Sequence, residues 1–268
     1  MPGDSQPHQA FRLIAGCLLA VTGWMAAGAS QAQSVALAAF SSSESGVPPV
    51  PWRIAGLPSQ GKAAAPITRF DITPIDNRQV LRVQTDGSYG NLLHALPNIQ
   101  LVEKTWLRWG WRLDKPLANA DLRQKRGDDS PLKVCLLFDV PLARLSFVDR
   151  SVLTLARSVS GEKLPSATLC YVWDNLLPAG TVINNAYTSR VRMIVLDTGD
   201  KRLGQWLTHQ RDVAADFKLA FGGGSGSDKS AEKSSEGLPA LDGVLVGADS
   251  DNTGGQSLAY VGDITLSP

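Results

Sequence analysis

The chain has 268 residues, and its 26 lysines and arginines nearly balance its 25 aspartates and glutamates, which gives a formal net charge of +1. This length is sufficient for one large β domain or two small domains. Without a basic excess the sequence gives no support for nucleic-acid binding, and without an acidic excess it lacks the composition of a solvating, disordered chain.

The N-terminal segment has the pattern of a secretory signal peptide. Arg12 precedes an uncharged apolar run, and the small residues Ser30 and Ala32 flank Gln31. A positive residue, an apolar core and a small-x-small site together are typical of an export signal. We therefore predict a signal peptide over residues 1–32, with cleavage after Ala32 and a periplasmic or secreted location. The run is shorter than the ~20 residues that span a bilayer comfortably, so we expect no stable transmembrane anchor after cleavage.

The chain after this site is mainly β in character. Residues 33–51 are rich in Ser and Pro, which predicts a flexible lead-in. Over residues 52–268, short β-type runs alternate with turn residues, which predicts a single antiparallel β-sandwich domain of the jelly-roll or galactose-binding-like type. The predicted strands are 67–73, 78–85, 89–96, 105–113, 132–139, 167–173, 190–197, 241–248 and 257–266.

Three segments interrupt the strand pattern. Residues 142–158 have apolar side chains three and four residues apart, which predicts an inserted helix. The apolar positions in this segment are Leu145, Val148, Val152 and Leu155. Residues 214–221 predict a second, short helix, and residues 222–237 contain almost no apolar side chain and predict a mobile surface loop.

Two cysteines follow the predicted cleavage site, and both lie in strand-like runs: Cys135 in KVCLLF and Cys170 in LCYVW. An oxidising compartment permits a disulfide between them. A bridge requires Cα atoms within ~7 Å, which the sequence does not establish, so a disulfide and two buried thiols both stay open. Neither a CxxC pair nor a Cys/His cluster occurs, which leaves zinc and thiol-redox chemistry without support.

The strongest signal for a ligand site is the strand TWLRWGWRL. Because side chains alternate across a strand, Trp106, Arg108 and Arg112 share one face. An indole can pack on the apolar face of a sugar while guanidinium groups bind its hydroxyls or carboxylates. We predict a site for a glycan or another cell-envelope ligand on this face, with Trp206 and Arg211 as neighbours. The alternative is that the arginines pair with acids on neighbouring strands.

An enzyme is the competing interpretation. Glycoside hydrolysis requires two carboxylates roughly 5–10 Å apart across a cleft, and a hydrolase or lyase would have to use Glu103 with Asp128 or Asp129. His209 lies near aspartates in the sequence, but no Gly-x-Ser-x-Gly elbow supplies a nucleophile. We therefore assign no catalytic residue and favour a non-catalytic binding protein. A third interpretation is an envelope structural protein without a small ligand.

Residues 247–256, GADSDNTGGQ, begin like a calcium loop. An EF-hand requires Glu at its twelfth position, where this sequence has Tyr260, and helices on both sides. A looser oxygen site remains, formed by Asp249, Asp251 and Asp263, which would hold a structural calcium ion. The alternative is a hairpin turn whose Asp and Asn side chains bond their own backbone. We expect no other cofactor.

The chain contains, in this order, WLRWGWRL, GDDSPLKVCLLFD, LCYVW, WLTHQRDVAADFKLAFG and LVGADSDNTGGQSLAYVGDITL. This succession resembles the bacterial family grouped as domain of unknown function 3047. The resemblance covers residues 52–266, and the last two stretches are its most specific part. It implies an exported protein with one β-sandwich domain, and it implies no activity, substrate or catalytic residue.

Overall fold

A computed structural model describes residue 3 and residues 34–55, 65–160, 164–222 and 238–268. The predicted signal peptide and nearly all of the predicted loop after the second helix lie outside the described residues. No helix in the described ranges is long and apolar enough to cross a membrane.

The described residues form thirteen strands and two α-helices, and each predicted strand and helix is among them. The strands are β1 (Val35–Ala38), β2 (Arg53–Ala55), β3 (Arg69–Ile75), β4 (Arg78–Asp86), β5 (Tyr89–Ile99), β6 (Trp106–Lys115), β7 (Lys133–Asp139), β8 (Ala167–Asp174), β9 (Val182–Asn184), β10 (Val191–Thr198), β11 (Leu207–Asp212), β12 (Ala240–Asp249) and β13 (Gln256–Ser267). The helices are α1 (Phe147–Ser160) and α2 (Val213–Phe221).

The strands form two sheets that pack face to face as a β-sandwich, as the strand pattern predicted. The six-stranded sheet has the order β11-β6-β13-β4-β3, with β1 paired to β13, and the seven-stranded sheet has the order β2-β5-β12-β7-β8-β10-β9. Every second side chain of a strand points into the space between the sheets. Trp109 and Trp111 of β6 and Tyr171 and Trp173 of β8 are therefore buried in one shared core.

One pair of strands departs from the predicted antiparallel arrangement. β10 runs parallel to β8, while β9 pairs antiparallel with β10 on its other side. Residues 175–190 carry the chain from the end of β8 back to the start of that strand, and a parallel pair requires a connection of about this length. Alternation of apolar side chains does not report strand direction, so this parallel pair could not be predicted from the sequence pattern.

The prediction of a flexible lead-in over residues 33–51 was wrong for the described part, which starts at residue 34. β1 pairs with β13, and Leu37 and Phe40 are buried in the main core. The rings of Phe40 and Trp52 lie 5.3 Å apart between their centroids. Ser and Pro dominate the composition of this stretch, but its few apolar side chains are sufficient to anchor it.

The helix α1 has its apolar positions on an unexpected side. Leu153 is buried against the rest of the molecule, whereas Val148, Val152 and Leu155 are exposed to solvent. Leu145 precedes the helix, which begins at Phe147. The apolar spacing therefore predicts the helix correctly, but most of the apolar positions do not contact the core.

Candidate ligand-binding site

The predicted face with Trp106, Arg108 and Arg112 lies on the outer side of the six-stranded sheet, and all three side chains are half-buried. Arg108 donates hydrogen bonds to Gln and Ser side chains on the two neighbouring strands. Arg112 donates from Nε and Nη2 to the two carboxylate oxygens of Asp114, at 2.6 and 3.1 Å. Both arginines thus have protein partners, and Arg112 also lies 3.5 Å from a carboxylate oxygen of Asp76.

Trp206 lies on the same face, over the gap that Gly110 leaves in β6. A Cβ atom on Gly110 would be 3.8 Å from the indole. The indole Nε1 donates to Asp76 at 3.0 Å, and the guanidinium carbon of Arg78 lies 3.9 Å from the ring centroid. The hollow that remains has a volume of about 260 Å³. This is slightly below the range of roughly 300–1,000 Å³ that is typical of small-molecule sites.

Arg211 does not join this face, and the prediction that it neighbours Trp106 was wrong. Arg211 donates from Nε to Asp216 at 2.8 Å, and Asp216 also accepts from the hydroxyl of Tyr171 at 2.9 Å. Tyr171 is a core residue of the opposite sheet. Because side chains alternate along β11, Arg211 points inward, and only the residues beside it reach the outer face.

His209 also points inward, into a buried polar cluster. Its Nε2 lies 2.8 Å from Oδ2 of Asp197, which accepts from Nε1 of Trp111 at 2.6 Å. Arg202 contacts the other carboxylate oxygen. A bulge in β10 between Val195 and Asp197 turns this carboxylate towards the core. Burial opposes the ionisation of Asp197, but the hydrogen bonds from His209 and Trp111 outweigh it, and the pKa of Asp197 lies below its ordinary value.

The carboxylates proposed for an enzyme do not converge. The Glu103 side chain is 83% exposed and lies 3.1 Å from Nζ of Lys218. Asp129 is buried and accepts four hydrogen bonds from the backbone and side chains of Asn252 and Thr253. Asp129 therefore has a structural position under the loop between β12 and β13.

The predicted oxygen site at Asp249, Asp251 and Asp263 was wrong. Asp249 accepts from Nζ of Lys133 at 2.9 Å, and Asp263 accepts from the backbone N–H of Ser41 at 2.8 Å on the outer side of the other sheet. In the part of the chain that the structure describes, no group of three or more His, Cys, Asp or Glu side chains could hold a metal ion. Asp249 and Asp251 line one pocket, but Asp263 is on the other sheet, so the three aspartates do not form one site.

A larger pocket lies on the outer side of the seven-stranded sheet, with a volume of about 460 Å³. Its floor contains a disulfide between Cys135 and Cys170, which answers the question that the sequence left open. The two residues are directly opposite on β7 and β8, with Cα atoms 4.0 Å apart. Leu122 and Met193 pack beside the disulfide and make the floor apolar.

The walls of this pocket are polar. Asp128 accepts a hydrogen bond from Nδ2 of Asn185 at 2.7 Å, and Lys133 forms its ion pair with Asp249 here. The ring of Tyr187 is part of the lining, and this residue is 58% exposed. The pocket thus combines hydrogen-bonding groups, an accessible aromatic ring and an apolar floor.

Two carboxylates in the pocket lack an ion pair within the described part of the chain. Neither Asp128 nor Asp251 forms an ion pair with any residue that the structure describes. Burial raises the pKa of Asp128, and the carboxylates of Asp249 and Asp129 add to the rise. The pKa of Asp251 is raised for the same reasons, burial first. Groups of this kind in a concave site are candidates for a functional role.

Sequence reasoning missed this pocket because its lining comes from distant segments. Asp128, Asn185 and Asp251 are far apart in the chain and meet only after the seven-stranded sheet has formed. One signal was present in the sequence. Two cysteines in neighbouring strand-like runs mark adjacent strands of one sheet, and the acidic residues just before the first run are placed at the end of that strand.

No curated protein matches the chain. Among solved structures, the chain is similar to the glycoside hydrolase domain of Endo-D from Streptococcus pneumoniae R6, with 11% sequence identity and a TM-score of 0.30. The match covers 81% of this chain and 21% of that structure, so the chain spans about a fifth of its length. A likeness with so low a TM-score carries no argument about function. The family model described as "Protein of unknown function (DUF3047)" matches residues 51–265. The chain therefore belongs to the DUF3047 family, which its sequence resembles.

Proposed function

We propose that this protein is a non-catalytic binding protein that takes a glycan in the pocket above the disulfide. The observation that carries the proposal is the lining of this pocket, in which carboxylate and amide groups stand beside tyrosine rings over an apolar floor. Sugars present hydroxyl groups and apolar ring faces together, so a mixed lining of this kind suits them. A volume of about 460 Å³ lies within the range of roughly 300–1,000 Å³ that is typical of ligand sites.

The two carboxylates that form no ion pair with a described residue can hydrogen-bond a ligand. Asp128 and Asp251 can accept hydrogen bonds from hydroxyl groups, and bonds to a charged acceptor are stronger than bonds between neutral groups. Asn185 can donate and accept in the same place, and the exposed ring of Tyr187 offers an apolar surface at the rim. A polyhydroxylated ligand would thus supply hydrogen-bond partners to carboxylates that have few among the described residues.

We also propose that the protein works in the periplasm or outside the cell. The signal-peptide pattern over residues 1–32 supports export. The disulfide between Cys135 and Cys170 supports it independently, because disulfides persist mainly in oxidising compartments.

A glycan array with wild type and three variants tests the proposal. Wild type should bind a restricted set of glycans, and Tyr187→Ala and Asp128→Ala should each lose about tenfold or more in affinity, since one charge-assisted bond or stacked ring contributes over 1 kcal/mol. Trp206→Ala is the matched control, because it removes an aromatic ring from the other sheet. Equal binding by all the proteins would contradict the pocket, and binding to no glycan would contradict the function.

A carbohydrate-active hydrolase or lyase is a second candidate function. The observation that favours it is that Asp128 and Asp251 line one pocket and both have a raised pKa, as a general acid requires. Release of reducing sugar from a glycan bound on the array would support this function. In that case Asp128→Asn should keep most of the binding and lose turnover. Binding without release would leave the non-catalytic function in place.

A further inference from the structure

Helix α1 presents an apolar stripe to solvent. The stripe consists of Phe147, Val148, Val152 and Leu155, which are 77%, 68%, 52% and 66% exposed. At 3.6 residues per turn these four positions fall within a sector of roughly 140°. Leu153 lies on the opposite side of the helix and is buried. A helix that packs on its own domain normally shows the reverse arrangement, with its apolar face inward.

The surroundings of this stripe are cationic, although one of the arginines, Arg157, lies 3.9 Å from a carboxylate oxygen of Asp139. A second pocket, of about 400 Å³, lies beside the first turn of α1 and shares no lining residue with the pocket above the disulfide. Its lining and α1 together carry five arginines and one aspartate. The arginines are Arg144, Arg150, Arg157, Arg190 and Arg192. The aspartate, Asp149, accepts hydrogen bonds from Ser146 and Ser189.

Two of these arginines lack an ion-pair partner within the described ranges. Neither Arg190 nor Arg192 forms an ion pair with a residue in the described ranges. The Nε atom of Arg192 is buried and has no hydrogen-bond partner there. Burial lowers the pKa of both guanidinium groups. An anionic oxygen in this pocket would supply the missing bond and offset the cost of burying the charge.

We propose that this side of the molecule docks on the surface of an anionic lipid bilayer. The stripe of α1 enters the boundary between headgroups and acyl chains, and the pocket with Arg190 and Arg192 holds a headgroup phosphate. An apolar helix face bordered by arginines is the arrangement that interfacial helices use. A second copy of the chain is a poorer partner, because a twofold contact would bring the same arginines against each other.

Hydrogen exchange of the full chain tests the docking surface, because it reports on α1 separately from other apolar segments. Phosphatidylcholine vesicles that contain phosphatidylglycerol should slow exchange in residues 147–160 by about tenfold or more. Vesicles of phosphatidylcholine alone should have little effect. The protection should fall as salt is added, because salt screens the attraction between arginine and phosphate.

Two substitutions in the same helix sharpen the test. Val152→Glu places a charge in the stripe and should abolish the protection by anionic vesicles. Thr154→Glu adds the same charge at an exposed position outside the stripe and should keep most of it. Replacing Arg190 and Arg192 together by alanine should remove the preference for the anionic vesicles.

Three results would overturn the proposal. The first is exchange in α1 that is unchanged by vesicles of either composition. The second is equal protection by both kinds of vesicle, which would show that anionic headgroups are not recognised. The third is protection without lipid that grows with protein concentration, which would assign the stripe to a contact between copies of this chain.

Discussion

Each side of the seven-stranded sheet has a carboxylate whose ionisation is opposed by burial. The two carboxylates differ in their hydrogen-bond partners. On the inner side, Asp197 accepts hydrogen bonds from Trp111 and His209, and its pKa lies below the ordinary value. On the outer side, Asp128 accepts one side-chain hydrogen bond, from Asn185, and its pKa is raised. Burial alone would raise both pKa values, so the partners make the difference. A carboxylate with complete partners stabilises the fold, whereas one with few partners is free to serve a ligand.

The largest expected loss of stability comes from removal of the disulfide beneath the outer pocket. Replacing Cys135 and Cys170 by alanine opens a loop with a sequence separation of 35 residues. Chain-entropy arguments give a loss of about 4 kcal/mol in the free energy of unfolding for a loop of this length. Urea unfolding followed by tryptophan fluorescence measures it. Wild type under reducing conditions should behave like the double variant, and a loss below about 1 kcal/mol would contradict the expectation.

Removal of the inner carboxylate should have the next largest effect. Asp197→Ala leaves the buried Trp111 Nε1 and His209 without their acceptor, and we expect a loss of about 3 kcal/mol in unfolding free energy. Asp200→Ala, at an exposed position on the loop after β10, is the matched control and should change stability by less than about 0.5 kcal/mol. Similar losses for both variants in urea unfolding would show that Asp197 contributes no more to stability than an exposed aspartate.

Asp129 lies close to the outer pocket, but its carboxylate is saturated with hydrogen bonds. Its removal should therefore have an intermediate effect on stability. Asp129→Ala leaves the backbone N–H groups of Asn252 and Thr253 without their acceptor. We expect a loss of about 2 kcal/mol, measured by thermal unfolding. Asp129→Asn keeps an acceptor oxygen and should recover part of it. An alanine variant as stable as wild type would show that the loop does not depend on this side chain.

The smallest change in the free energy of unfolding, a gain where the other variants show a loss, is expected for substitution of Asp128. Its raised pKa means that the folded state binds a proton more readily than the unfolded state, whose aspartate pKa is about 3.9. Its ionisation therefore costs stability as pH rises through the folded pKa. Asp128→Asn should raise the free energy of unfolding at pH 7 by less than about 1 kcal/mol, since solvent screens the group in part.

The free energy of unfolding, measured at pH 4 and at pH 7, distinguishes the contribution of Asp197 from that of Asp128. Stability from Asp197 is present above the unfolded pKa of about 3.9 and is lost as pH falls through its lower folded pKa. The benefit of Asp128→Asn should instead shrink as pH falls, because wild-type Asp128 becomes protonated. A variant that is less stable than wild type at pH 7 would show that Asp128 serves the fold after all.

The strands of this fold were predictable because alternation along one strand needs only local information. In β6, Leu107, Trp109, Trp111 and Leu113 are buried, as their spacing of two residues predicts. Asp197 of β10 is an exception to this alternation. It faces the core only because a bulge shifts the register. Nothing in the local pattern marks that shift.

The candidate site was harder to predict because it depends on contacts between distant segments. Lys133 and Asp249 form an ion pair across 116 positions, and Asp128 meets Asn185 across 57. Trp106, Arg108 and Arg112 of β6 gave a stronger local signal for a ligand site, but both arginines already donate hydrogen bonds to neighbouring strands or to β6 itself. Residue type showed which side chains can bind a ligand, and only the sheet order shows which of them remain available.

The position of the last two strands has a consequence for how the chain folds. β13 separates β6 from β4, and β12 separates β5 from β7, so each sheet is divided until residues 240–267 have been made. Such pairings close long loops and form slowly. The earlier strands can therefore form only partial sheets until the ribosome has synthesised the last two strands. If the protein is exported as proposed, this delay keeps it in the open form that a narrow translocation channel can pass.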